Sequence, residues 1–123
     1  MFPILIVEDE LNSRYAMEIF LRDRGFNVKA VGTADEALEV ARTFKPRLLI
    51  CDWFLGGPID GVQLSRKLHT RFPNLQIFFM TGYSIPELQK RLIDIPVQKI
   101  FAKPTSLFAL KSAVDSLVSD CHV

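Results

Sequence analysis

The feature that most constrains this chain is an apolar run of strand length that ends abruptly in a carboxylate. Residues 47–52 read Arg-Leu-Leu-Ile-Cys-Asp, and an unbroken apolar run of this length is typical of a strand that is buried on both faces of a parallel sheet. In open parallel sheets, ligands bind in the crevice beyond the carboxyl ends of the strands. Asp52 is therefore the first candidate for a chemical role.

Similar runs alternate along the chain with segments of helical period. Strands are predicted at residues 4–7, 26–31, 47–52, 75–80 and 97–102. Helices are predicted at residues 11–24, 34–44 and 61–71, followed by a short helix from Ser84 to Ile95 and a last helix that reaches about Val118. Every crossover is long enough to hold a helix, so the pattern predicts an α/β fold with a five-stranded parallel sheet and helices on both faces.

The helices also carry signals for their orientation and their ends. Apolar residues at helical spacing predict the buried face of the first helix. They are Leu11, Tyr15, Ile19 and Phe20. Gly25 is expected to stop this helix. Capping side chains are predicted before the later helices. They are Thr33, which forms a capping box with Glu36, then Asp60, Ser84 and Thr105.

Composition narrows the classes of protein. A chain of 123 residues fits one compact domain, with a core at about residues 4–118, and a net charge of +1 gives no basic excess for nucleic acid or anionic membrane. Cys51 and Cys121 are far apart in sequence, which argues against a disulfide framework. The N-terminal apolar run meets Glu8 too early for a signal peptide or a membrane span. We therefore expect a cytoplasmic protein.

Polar side chains follow four of the five predicted strands. Glu8 and Asp9 follow the first strand, Asp52 ends the third, Thr81 follows the fourth and Lys103 follows the fifth. The carboxyl ends of parallel strands meet at one edge of a sheet. These five side chains are therefore expected to surround one cavity.

Three carboxylates in one cavity need a cation. At an effective dielectric of 20, two carboxylates about 4 Å apart repel each other by roughly 4 kcal/mol, so without a cation one of them tends to hold a proton. A divalent metal ion together with Lys103 balances the three negative charges. Oxygen ligands favour Mg²⁺ over zinc, and Thr81 and Lys103 would contact phosphate oxygens. This arrangement suits a carboxylate that attacks phosphorus and carries a phosphoryl group.

The ordered set of motifs resembles a known family, the receiver domain of two-component response regulators. The motifs are Ile-Val-Glu-Asp-Glu at 6–10, the lone Asp52, Asp60-Gly61, Thr81-Gly82 and Phe101-Ala102-Lys103-Pro104. The resemblance covers about residues 4–118. It implies a flavodoxin-like three-layer sandwich with strand order 2-1-3-4-5.

The resemblance also implies a chemical role for the predicted site. Asp52 would accept a phosphoryl group from the phosphohistidine of a sensor histidine kinase or a histidine phosphotransfer domain. The Mg²⁺ ligands that it implies are Asp9, Asp52 and the backbone carbonyl of Phe54, with Glu8 reaching the ion mainly through water. The Lys103–Pro104 peptide would be cis. A receiver assists only its own phosphorylation and dephosphorylation, so we do not expect an enzyme.

The resemblance further implies a conformational switch. The new phosphoryl group would draw Thr81 inward, and Phe101 would fill the space that Thr81 vacates. A face made of the fourth helix, the fifth strand and the fifth helix would then shift and control a downstream protein, by a coupling of about 1 to 3 kcal/mol. A homodimer is left open, and direct nucleic-acid binding is not expected.

Two features depart from the commonest receivers. The loop with Gly56-Gly57 has one more residue before Asp60-Gly61, as in receivers attached to sensor kinases, so the chain is either a free regulator or a domain of a longer kinase. The second feature is aromatic bulk at Phe54 and Tyr83, two residues after Asp52 and Thr81. We hypothesise that these two rings restrict water and lengthen the phosphorylated lifetime.

Other functions would need different residues at these positions or no phosphorylation at all. A Mg²⁺-dependent phosphatase of the haloacid dehalogenase type needs a second Asp at position 54, which is Phe54 here. A flavin carrier needs a Ser, Thr and Gly loop after the first strand, where this chain has three acidic residues. An interaction-only receiver that is never phosphorylated stays open. Next to Asp52, we expect Cys51 to be a buried, unreactive thiol and Trp53 to be a fluorescence reporter.

Overall fold

The structure of the protein is a computed structural model that describes residues 2–121. The side chain of Cys121, and with it the prediction about disulfides, lies outside the described part of the chain. The strands are β1 (Pro3–Val7), β2 (Asn27–Val31), β3 (Leu48–Asp52), β4 (Gln76–Thr81) and β5 (Lys99–Ala102). The helices are α1 (Leu11–Asp23), α2 (Ala34–Phe44), α3 (Gly61–Arg71), α4 (Ile85–Arg91) and α5 (Leu107–Cys121).

The five strands form one parallel sheet in the order β2-β1-β3-β4-β5. This result confirms the predicted architecture and strand order. In the register of the sheet, Val7 of β1 lies beside Val31 of β2 and Cys51 of β3. The strand β3 lies at the centre of the sheet and is buried along its whole length. Asp52, its last residue, is therefore held at the end of the central, fully buried strand.

Successive strand residues point to opposite faces of the sheet, and each face has its own apolar cluster. One cluster joins alternate strand residues such as Cys51 and Phe79 to α2, α3 and α4. The other joins residues such as Ile50 and Met80 to α1 and α5. Helices therefore cover both faces, as the three-layer prediction required.

The buried face of α1 differs from the predicted one. Leu11, Tyr15 and Ile19 are exposed by 63%, 61% and 42%, whereas Met17 and Leu21 face the sheet. Both sets have helical spacing, so the pattern alone did not decide between them. In the structure, Met17 and Leu21 join the apolar cluster of the sheet, and two arginines of α1 hydrogen-bond to the backbone carbonyls of Glu8 and Val28.

The helix ends follow the predicted capping residues in part. Asp60 forms a full capping box with Gln63, and Gly25 follows α1 with φ of +89°. Thr33 accepts from the Glu36 N–H, but its hydroxyl donates to the Glu36 carboxylate at 3.0 Å, so only half of that box forms.

The last two helices differ from their predicted bounds. The N-cap of α5 is Ser106, whose hydroxyl accepts from the Ala109 N–H at 3.2 Å, while the Thr105 hydroxyl is buried without a hydrogen bond. The helix α4 ends at Arg91, four residues earlier than predicted, because the Leu92 N–H bonds three residues back to Gln89. In residues 2–121, no helix has both the length and the apolar character needed to cross a membrane.

Candidate functional site

The carboxyl edge of the sheet brings the three predicted carboxylates together. Glu8 and Asp9 follow β1, and Asp52 ends the neighbouring strand β3. One carboxylate oxygen from each residue lies within 4.8 Å of the other two. Glu8 is fully buried, Asp52 is 8% exposed, and Asp9 is open to solvent. The cluster therefore opens to solvent on the side of Asp9.

Lys103 bridges two of the three carboxylates. Its Nζ lies 2.7 Å from Glu8 Oε1 and 2.8 Å from Asp52 Oδ2. The Lys103 backbone N–H donates to the Thr81 carbonyl at 2.8 Å, which attaches the lysine to the end of β4. The Lys103–Pro104 peptide is cis, as expected.

The charges in the cluster perturb the pKa of two groups. Burial acts to lower the pKa of Lys103, but its hydrogen bonds to Asp52 and Glu8 outweigh burial, so the pKa lies above its ordinary value. The pKa of Asp9 is raised by burial, and further by the hydrogen bond and negative charge of Glu8. The raised Asp9 pKa is the direction expected when three carboxylates share one cation.

The donor set fits a hard divalent cation such as Mg²⁺. The three carboxylates offer oxygen ligands, and one ammonium does not balance three negative charges. Glu8 Oε1 lies 2.7 Å from Lys103 Nζ, and Asp52 Oδ2 lies 2.8 Å from the same nitrogen, so two carboxylates share one ammonium. Within the described residues, this is the one group of His, Cys, Asp and Glu side chains arranged to hold a metal ion.

Thr81 completes the edge at the end of β4. Its side chain is 1% exposed, and Oγ1 accepts the N–H of Tyr83 at 2.9 Å. That hydrogen bond joins the hydroxyl to the turn that leads into α4.

Three aromatic rings from the segments at the ends of β3 and β4 contact one another. The rings of Trp53 and Phe54 stack at 4.5 Å, and Phe54 meets Tyr83 edge to face at 4.8 Å. Trp53 is buried, while Phe54 and Tyr83 are exposed by 45% and 68%. The two residues predicted to restrict access therefore contact each other.

Phe101 is not placed as the sequence predicted. In the register of the sheet, Met80 lies beside Phe101, and Thr81 lies beside Ala102. Phe101 is buried in the cluster that contains Met80 and packs at 5.8 Å against the ring of Phe78. That cluster lies on the face covered by α1 and α5.

Thr81 faces the other side of the sheet. It follows Phe79 by two residues, and Phe79 belongs to the cluster beneath α2, α3 and α4. The geometry therefore corrects the predicted pairing, because Phe101 cannot fill a space that Thr81 vacates on the opposite face. Ile100 packs on the same face as Thr81.

Sequence analysis missed two close approaches that shape this edge. A Cβ on Gly61 would overlap with the backbone carbonyl oxygen of Asp52, and a Cβ on Gly32 would overlap with the guanidinium of Arg14. The Asp60-Gly61 motif indicates the close approach at Gly61. The close approach at Gly32 joins α1 to the end of β2, and no local sequence pattern indicates a contact between distant segments.

Comparison with known proteins decides the family. A family model described as the response regulator receiver domain matches residues 4–115. The chain belongs to this family. As a receiver domain, it is a component of two-component signal transduction.

Relatives and solved structures agree with this assignment. A cyclic di-GMP phosphodiesterase of Thermotoga maritima is 29% identical over 108 residues, which cover 88% of this chain. The signal receiver domain of a Syntrophus aciditrophicus signal transduction histidine kinase has a TM-score of 0.84 and 25% identity, and covers 98% of this chain and 92% of its own. A CheY-like receiver domain protein of Methanospirillum hungatei has a TM-score of 0.90 at 22% identity, covers 98% and 95% of the two chains, and supports the fold alone.

The receiver domain spans only part of its curated relatives. It covers 28% of the length of the Thermotoga maritima protein. The similarity therefore concerns only that 28% of the relative's length.

Proposed function

We propose that this receiver domain is a phosphoacceptor in a two-component phosphorelay. Asp52 would accept a phosphoryl group from the phosphohistidine of a sensor histidine kinase or a histidine phosphotransfer domain, and residues 4–118 would act as one unit. The observation that carries the proposal is the ion-pair cluster: Lys103 lies within 2.8 Å of both Glu8 and Asp52, and Asp9 lies beside them. A merely structural strand end has no need for three adjacent carboxylates.

In the proposed transfer, one carboxylate oxygen of Asp52 attacks phosphorus. A P–O bond forms, the P–N bond to the donor imidazole breaks, and the electron pair stays on the imidazole nitrogen. Lys103, already held 2.8 Å from Asp52, offers its ammonium to the phosphoryl oxygens. Its raised pKa keeps it charged at neutral pH.

We infer that Mg²⁺ completes the site. Asp9, Asp52 and the backbone carbonyl of Phe54 would hold the ion, with Glu8 reaching it through water. When bound, Mg²⁺ supplies positive charge to the phosphoryl oxygens. The support is the all-oxygen donor set and the single ammonium that Glu8 and Asp52 share.

The phosphoryl group would move Thr81. The buried hydroxyl can donate to a phosphoryl oxygen, and because it also accepts from the Tyr83 N–H, its movement pulls on the turn before α4. Ile100, on the same face as Thr81, would respond in place of Phe101. The face of α4, β5 and α5 would then control a downstream protein in the cytoplasm.

Phe54 and Tyr83 would slow loss of the phosphoryl group by excluding water, because they follow Asp52 and Thr81 by two residues and their rings contact each other. The double variant Phe54→Ala, Tyr83→Ala is expected to dephosphorylate several-fold faster than the unchanged protein. Phosphate release after removal of the donor measures the rate, and Tyr15→Ala, another exposed aromatic, is the control. An unchanged rate in the double variant would count against this role.

Trp53 fluorescence tests the proposed site as a whole. Trp53 is buried directly after Asp52 and stacks on Phe54. We expect MgCl₂ to change the emission, and beryllofluoride, which mimics a phosphoryl group, to cause a further change that Asp52→Asn abolishes. No response to either addition would favour the interaction-only receiver.

A further inference from the structure

Arg14 reaches the point at which β1 delivers the acidic pair. Its Nη1 donates to the backbone carbonyl of Glu8 at 3.1 Å. The Glu8 N–H still bonds to the Val31 carbonyl at 3.1 Å, but β2 ends at Val31. A longer β2 would have supplied a donor to the Glu8 carbonyl. The guanidinium of Arg14 takes the place of that missing backbone donor.

Gly32 makes room for this contact. A Cβ at Gly32 would overlap with Nη1 of Arg14 and lie 3.3 Å from Cζ. The three heavy atoms nearest to such a Cβ all belong to the Arg14 guanidinium, and the φ of Gly32 is not in the left-handed region. The absence of a side chain at position 32 therefore leaves space for Arg14. The backbone conformation itself does not require glycine at this position.

We propose that Arg14 is a positioning residue for the divalent-cation site. The absence of a side chain at Gly32 leaves the space in which the Arg14 guanidinium contacts the Glu8 carbonyl. The inference rests on the proposed function. The carbonyl that Arg14 holds belongs to the peptide between Glu8 and Asp9, so fixing this peptide fixes the direction in which both carboxylates leave β1. Asp9 is exposed, and the peptide that Arg14 holds is attached directly to its Cα. The Glu10 N–H, which donates to Glu8 Oε2 at 3.2 Å, holds the following peptide.

The expected loss of Mg²⁺ affinity can be judged from other groups that orient metal ligands. Removal of such a group typically weakens metal binding by about 10- to 100-fold. Deleting Arg14 also deletes the positive charge that lies at the Glu8 carbonyl, and loss of a nearby positive charge would by itself strengthen cation binding. Gly32→Ala avoids this difficulty, because it displaces the guanidinium and keeps the charge. We expect Gly32→Ala to weaken Mg²⁺ binding by about tenfold.

The test is a double-mutant cycle measured on the full chain. NMR titrations with MgCl₂ would give the affinity of the unchanged protein, Gly32→Ala, Arg14→Ala and the double variant, with urea midpoints to monitor folding. Gly57→Ala, where a Cβ meets nothing within 4 Å, is the matched control. Arg14→Lys, which keeps a donor and the charge, is expected to recover part of the affinity lost in Arg14→Ala.

The proposal expects the two changes to be non-additive. Gly32→Ala should weaken binding in the presence of Arg14 and have no effect in the Arg14→Ala background. Wild-type affinity in Gly32→Ala, or equal losses from Gly32→Ala in both backgrounds, would overturn the positioning role. Asp9→Asn distinguishes failure of the positioning role from failure of the cation site. If Asp9→Asn binds Mg²⁺ as tightly as the unchanged protein, the proposed cation site itself is wrong.

Discussion

Gly61 is a residue at which the edge of the sheet accepts no side chain. A Cβ there would overlap with the Asp52 carbonyl oxygen and lie 2.9 Å from Cys51 Sγ. The Gly61 N–H donates to the Trp53 carbonyl at 2.6 Å. The first residue of α3 therefore packs directly against the end of the strand that carries Asp52.

Gly61→Ala is expected to lower the free energy of unfolding by about 1 to 3 kcal/mol, because the group that would have to move is backbone. Urea unfolding followed by Trp53 fluorescence measures this change. Gly57→Ala, in the preceding loop, should change stability by no more than about 0.5 kcal/mol. Equal effects at the two positions would contradict the close approach of α3 to β3.

Cys51 gives a prediction about pH. Burial raises the pKa of its thiol well above the ordinary value of 9.0, and the negative charge of Asp52 adds to the effect. The thiol ionises near its ordinary pKa only in the unfolded chain. Above that pH the folded state binds more protons than the unfolded state, so stability falls as pH rises.

The contribution of Cys51 is found by comparing the unchanged protein with Cys51→Ala. From about pH 8 to about pH 10, the unchanged protein should lose about 1 kcal/mol more of its unfolding free energy than the variant. Urea unfolding across this range measures both, and groups other than Cys51 cancel in the difference. Parallel pH profiles would show that the thiol is not shielded as described.

At the scale of elements, α1 shows why a helical pattern does not fix which face is buried. Leu11, Tyr15 and Ile19 satisfy the spacing as well as Met17 and Leu21 do. Which of the two sets is buried depends on packing against the sheet, where Met17 and Leu21 join an apolar cluster that no local pattern contains. Leu11, Tyr15 and Ile19 therefore form an exposed apolar stripe on α1.

The orientation of α1 predicts opposite behaviour for two of its residues. Met17→Ala should lower the unfolding free energy by about 2 to 4 kcal/mol, because Met17 is 4% exposed in the core. Ile19→Ala, at 42% exposure on the same helix, should change it by less than about 1 kcal/mol. Urea unfolding of both variants measures these changes. A larger loss of unfolding free energy in Ile19→Ala than in Met17→Ala would mean that the helix is rotated.

Helix ends were predictable where one side chain decides them. Asp60 caps α3 as expected, because the cap and its partner Gln63 are three residues apart in sequence. The start of α5 was missed by one residue, since Thr105 directly follows Lys103–Pro104 and its hydroxyl is buried without a partner, while Ser106 caps. Local chemistry identifies a cap, and the packing of the preceding loop selects among neighbours.

At the scale of the whole molecule, the alternation of apolar runs was enough to predict five parallel strands and two covered faces. The strand order required the family resemblance, because alternation does not say which strands are neighbours. Four strand ends then brought Glu8, Asp9, Asp52, Thr81 and Lys103 to one edge. The pairing of Thr81 with Phe101 failed because strand register decides the face, and the register of β5 against β4 is a long-range property.

The central claim is that this edge transfers a phosphoryl group to Asp52. The most direct measurement is the intact mass of the protein after incubation with acetyl phosphate and MgCl₂, for the unchanged protein, Asp52→Asn and Asp60→Asn. Asp60 caps α3 outside the carboxylate cluster, and asparagine preserves the cap, so it is the matched control. We predict the mass of one added phosphoryl group in the unchanged protein and in Asp60→Asn, and none in Asp52→Asn or without Mg²⁺. Phosphorylation that persists in Asp52→Asn, or that is absent from the unchanged protein, would contradict the account.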